Sequence, residues 1–95
     1  MTRTLQHPHK ALAEITATKR AQGGGTWSGR WTLTTDGRVL HRLIAHNDEV
    51  VTQTLTTVKA TLAAAVFTRC MADPAERTET LRRFARYDGY TPDEA

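Results

Sequence analysis

Four histidines, one cysteine and a set of arginines are the side chains of this chain with chemistry to offer, and their spacing narrows what it can be. His7 and His9 flank Pro8. His41 and His46 are separated by an odd number of positions, so on a strand they point to opposite faces. No Asp, Glu or Cys stands at ligand spacing beside any of them, so neither a metal site nor another cofactor is expected. His41 near Arg30 and Thr32 has the residue types of a small ribonuclease, an acid/base beside a phosphate-binding cation. A solvated strand histidine is the commoner role, and the chain is read as non-enzymatic. The glycine-rich run Gly23-Gly24-Gly25-Thr26-Trp27-Ser28-Gly29-Arg30 could cradle a phosphate on backbone N–H groups. It lacks the GK[ST] ending of a P-loop and is read as leading from helix into strand, the wrong order for a nucleotide fingerprint. A loop entering a hairpin accounts for it.

The cations point elsewhere. Residues 1–46 carry seven basic and two acidic side chains, and residues 47–95 carry six and eight, so the net +3 conceals a basic N-terminal half. Such asymmetry suggests a polyanionic partner. Arg30, Arg38 and Arg42, with Lys19, Arg20 and His41, are the candidate nucleic-acid contacts. At 95 residues the chain is read as one small domain spanning its whole length, with residues 1–7 and 90–95 expected to fray. Cys70 falls among apolar residues and reads as a small buried hydrophobe. The apolar stretch Val50–Phe67 is not a membrane span, because Lys59 sits near its centre and threonines dilute it. The first residues lack the apolar region of a signal peptide, so a reducing, cytoplasmic setting is expected. The lean to Ala, Thr and Arg is the usage of a GC-rich genome, such as that of an actinobacterium or a phage infecting one.

The elements that must position these groups follow from periodicity. Pro8 and the alanine-rich run to Gln22 predict a first helix, stopped by the three glycines. Thr26–Thr35 and Arg38–Ala45 alternate about Asp36-Gly37, which predicts a two-residue hairpin pairing Leu33 with Leu40 and Trp31 with Arg42. That register puts Trp27, Trp31, Leu33, Leu40 and Ile44 on a core side, with Arg42 among them. It leaves Ser28, Arg30, Thr32, Thr34, Val39, His41, Leu43 and Ala45 on the other. Val51, Leu55, Val58, Leu62 and Val66 keep helical spacing and predict a long helix from Asp48 to Ala72. Asp73-Pro74-Ala75-Glu76 caps a last helix to Asp88. The fold expected is α+β in the order α-β-β-α-α, with one antiparallel hairpin packed on helices. A lone hairpin is marginal and the long helix has little charge on its outer face, so a homodimer is expected.

Two short resemblances accompany this pattern. Trp27-Ser28-Gly29 and the tail Tyr90–Glu94 resemble the W-x-G turn and acidic tail of a family of secretion proteins, which implies a hairpin of two long helices. The strand alternation and Asp-Gly turn that follow the motif are not features of such a hairpin. Asp36-Gly37-Arg38, His46-Asn47, Thr54-Leu55 and Val58-Lys59 resemble the second half of small RNA-cleaving toxins with a double-stranded-RNA-binding-like fold, which implies nucleic acid. Those carry a catalytic histidine on the strand before the turn, where this chain has Gly29-Arg30-Trp31.

The function expected is therefore a small, basic, non-enzymatic protein that binds nucleic acid, regulatory and encoded by a phage or mobile element. A protein–protein module docking on a host protein is the alternative, and a small ribonuclease the third.

Overall fold

The computed structural model describes residues 10–44 and 54–93. Four strands run as an antiparallel meander: β1 (Ala11–Arg20), β2 (Thr26–Thr34), β3 (Arg38–Ile44) and β4 (Thr54–Thr61). Two helices follow, α1 (Ala64–Ala72) and α2 (Pro74–Tyr87), and then a two-residue strand, β5 (Thr91–Pro92). The strands stand in the order β4-β3-β2-β1-β5.

This overturns the expected single hairpin packed on helices. The run read as a first helix is β1. Its alanines suit a helix, but Ile15 and Ala17 are buried while Glu14 and Thr16 are exposed, a period of two. The run read as one long helix is divided. Its first part, Thr-Leu-Thr-Thr-Val-Lys-Ala-Thr, is β4, where β-branched side chains sit well on a pleated surface. Leu62 and Ala63 then lead into α1. The stretch from Asp48 to Gln53 and the first nine residues lie outside the described residues. The last helix is as expected: Asp73 accepts from the Ala75 N–H at 3.0 Å and Pro74 opens the first turn. Arg77 reaches back to donate to the carbonyls of Cys70 at 2.6 Å and Met71 at 3.1 Å, fastening α2 to the end of α1. Within residues 90–95, expected to fray, Thr91–Pro92 form β5. Pro92 and Thr91 pair with Ala17 and Thr18, and the Asp93 N–H donates to the Thr16 carbonyl at 2.9 Å.

The hairpin between β2 and β3 also differs by one residue. The favoured two-residue turns need positive φ at the first central position, Asp36, but of the pair only Gly37 has it, at +82°. Thr35 and Asp36 form the turn, closed by the Gly37 N–H on the Thr34 carbonyl at 3.0 Å, and Gly37 follows as the left-handed residue. The Thr34 hydroxyl bonds to Asp36 and to the Arg38 carbonyl, which holds the loop. Leu33 therefore faces Val39, Trp31 faces His41 and Arg30 faces Arg42.

Both helices pack on one side of the sheet. The core there is Ile15, Ala17, Trp31, Leu33 and Val39 beneath Cys70, Leu81 and Ala85. Trp31 is fully buried, whereas Trp27, expected in the core with it, is 45% exposed near the end of the sheet. Gly29 makes room for Trp31: a Cβ at that position would stand 2.7 Å from the indole and 3.0 Å from His41 Nε2. Gly29→Ala is expected to destabilise by about 1–3 kcal/mol through overpacking, read as a fall in Tm by circular dichroism. An unchanged Tm would show that the indole has room to move.

Candidate functional site

Strand alternation places Glu14, Thr16, Thr18 and Arg20 of β1 on the sheet face away from the helices. Ser28, Arg30, Thr32 and Thr34 of β2 share it, as do Arg38, Leu40, Arg42 and Ile44 of β3. No described helix lies over this face, yet Thr32, Thr34, Leu40 and Thr56 on it are buried. At its centre Thr16, Arg30, Arg42 and Thr56 form one row across four strands, each directly opposite the next. Two arginines in direct opposition repel. Glu14 lies between them, with Oε2 2.8 Å from Arg42 Nη2 and Oε1 3.7 Å from Arg30 Nε. The same carboxylate accepts from the Thr32 hydroxyl at 3.0 Å. One negative charge thus serves two positive ones, and the Arg30 and Arg42 side chains remain 37% and 31% exposed.

The six candidate contacts are divided by this geometry. Arg30 and Arg42 are brought together. Arg38 shares their face but is paired with Asp36 at 3.2 Å by the β2–β3 turn. Arg20 shares the face at the opposite end of the sheet, beside the glycine loop. Lys19 and His41 lie on the helix side. The Lys19 ammonium stands 5.4 Å above the Tyr90 ring, within cation–π range.

His41 is part of an aromatic cluster and is not a solvated side chain. Its ring stacks on Trp31 with centroids 4.2 Å apart and planes 10° from parallel, and Tyr90 meets both rings edge-on. Nε2 is buried without a hydrogen-bond partner. Burial lowers the imidazole pKa below its ordinary 6.5, and the Lys59 ammonium pushes it the same way, while the Asp88 carboxylate opposes both. Lys59 and Asp88 pair at 3.1 Å. Burial and Asp88 together raise the Tyr90 phenol. His41 is neutral at neutral pH and faces away from Arg30 and Thr32, so the acid/base cluster those three would form is not assembled.

Glu14, Lys59, Asp88 and Tyr90 escape the sequence reading. Glu14 becomes legible once β1 is taken as a strand, because it alternates with buried Ile15. The other three meet only through the tertiary fold. Among the described residues no group of His, Cys, Asp and Glu is placed to hold a metal ion, and no helix is long and apolar enough to cross a membrane. His7, His9 and His46 lie outside the described residues. No family model, curated protein or solved structure matches the chain.

The lowered pKa of His41 has a definite sign for stability. The unfolded chain takes up this proton near pH 6.5 and the folded chain only at lower pH. Stability from neutral His41 is therefore complete above that value and is lost as pH falls through the folded pKa. His41→Phe keeps a ring on Trp31 and removes the proton. Urea unfolding between about pH 7 and 5 should show a decline in the wild type that is flatter in the variant. Parallel curves would place the titration elsewhere.

Proposed function

We propose that the protein binds nucleic acid through its phosphate backbone, with Arg30 and Arg42 as the central contacts and Arg20 and Arg38 flanking them. The reading rests on the paired guanidiniums sharing Glu14 on a sheet face that no described helix covers. Such a pair carries a net positive charge at one point and retains donors for phosphate oxygens. Glu14 orients both arginines and competes with the phosphate that would replace it. Contacts of this kind position a protein on the backbone without reading bases. They suit a small non-enzymatic regulator acting in the cytoplasm. Lys19 is turned to Tyr90, and neutral His41 contributes no charge, so both are secondary to the arginine row.

Fluorescence polarisation with a labelled DNA duplex and an RNA hairpin tests this. Binding is expected at low salt and should weaken as salt rises, since each phosphate contact releases counterions. Replacing Arg30 and Arg42 by Ala together should lower affinity and reduce the salt slope by roughly two units. Glu14→Gln should tighten binding severalfold, because it removes the competing carboxylate while keeping the side chain's shape. No binding of either probe at low salt, or a double variant that binds like the wild type, would sink the proposal.

A further inference from the structure

We infer that Trp27 is a stacking platform for an unpaired base of single-stranded nucleic acid, which rests on the nucleic-acid function proposed above. Trp27 and Trp31 share one face of β2, yet Trp31 is fully buried and Trp27 is 45% exposed. His41 and Tyr90 enclose Trp31, whereas no described ring stacks on Trp27. The β1–β2 loop beside it is bare. Gly23, Gly24 and Gly25 all have positive φ, and a Cβ at any of them would meet nothing within 4 Å. An indole this open keeps a broad apolar surface in water. Two cations flank it. Lys19 stands directly opposite Trp27 on β1 and shares its face, and Arg20 follows on the other face, opposite Thr26. Both are exposed, and among the described residues neither is paired with a carboxylate, unlike Arg30, Arg38 and Arg42.

An open indole between two unpaired cations selects its occupant. An acidic peptide would use the cations and leave the indole wet, and an apolar segment would leave the cations without a partner. A nucleotide offers both parts, a flat π-face for the ring and a phosphate for the ammonium and the guanidinium. Its base has to be unpaired, because within a duplex both faces of a base are already covered by the stack. The cations also mark a path. Arg20 shares the open face with Arg30 and Arg42, and its partner Thr26 is four residues, about 13 Å, along β2 from Arg30. Lys19, its neighbour in the chain, is on the helix side with Trp27. A flexible strand seated on the Arg30–Arg42 row can pass round this end of the sheet at Arg20 and lay a base on Trp27. A duplex is too stiff to follow that turn. Stacking is tolerant of sequence, since every base has a π-face, which agrees with phosphate contacts that do not read bases.

Tryptophan emission and fluorescence polarisation of the full chain at low salt test this, with a short oligo(dT) and a long blunt duplex, whose ends are few. Oligo(dT) should quench the emission in part, leaving that of buried Trp31, and the duplex should leave it unchanged. Trp27→Ala, at an exposed side chain, should keep the wild-type circular dichroism. It should lose the quench, bind oligo(dT) roughly tenfold more weakly and bind the duplex as before. Trp27→Phe keeps a ring and should retain most of the affinity for oligo(dT). A Trp27→Ala variant that binds oligo(dT) like the wild type, or a duplex that quenches as strongly, overturns the inference. The two readings fail separately. If only the double Arg30 and Arg42 variant loses affinity for oligo(dT), the proposed function stands without the platform. If only Trp27→Ala loses it, the platform stands and the arginine row is not the contact. Absence of binding to both probes removes both.

Discussion

Trp31 is the side chain on which the remaining packing converges. Its indole is buried to zero exposure between the sheet and α2. It fits there because Gly29, two residues earlier on the same face, has no Cβ to occupy that space. A ring of this size dominates the burial of a small core. Here it also sets what lies beside it. The β2–β3 register brings His41 to stack on it, and Tyr90 closes from the side. Tyr90 immediately precedes β5, so the same contact helps carry the chain end onto β1. The price is two buried nitrogens, Trp31 Nε1 and His41 Nε2, that find no partner. The stack is therefore held by apolar area and ring geometry.

The two sides of the sheet solve different electrostatic problems. On the helix side, the Lys59–Asp88 pair lies near the His41 cluster, and its opposed effects on the imidazole leave burial as the leading cause of the lowered pKa. On the other side, Arg30 and Arg42 face each other across neighbouring strands, an arrangement that costs stability unless an anion stands between them. Glu14 supplies that anion from β1, fixed by Thr32. Ion pairs this exposed add little to folding.

Legibility in the sequence followed the physics of each segment. The capping signal Asp73-Pro74-Ala75-Glu76 was readable because a cap depends on neighbours in the chain. The strand character of β2 and β3 was readable from alternation. β1 was obscured because alanine favours helices, and Ile15 and Ala17 alone do not distinguish a period of two from one of 3.6. β4 was obscured because Val51, Leu55, Val58 and Leu62 match a helical stripe, while the threonines between them favour a strand. Once its neighbours paired, tertiary context decided. The burial of Trp31 was legible from its apolar surroundings. The exposure of Trp27 was not, since alternation puts it on the same face as Trp31.

The turn at Asp36-Gly37 shows how far one local choice reaches. Asp-Gly is consistent with a two-residue loop or with a longer one ending in a left-handed glycine, and the dipeptide does not discriminate between them. The longer loop shifts β3 by one position against β2, and a shift of one exchanges the faces of a strand. With the shorter loop, Arg42 would lie beside Trp31 on the core side and His41 would stand with Arg30 in solvent, the arrangement of an acid/base site. With the longer loop, Arg42 joins Arg30 over Glu14, and His41 is stacked away against the indole. Whether His41 or Arg42 stands beside Arg30 was thus decided at the turn, where Gly37 takes a φ of +82°. Thr34, whose hydroxyl ties Asp36 to the Arg38 carbonyl, holds it there.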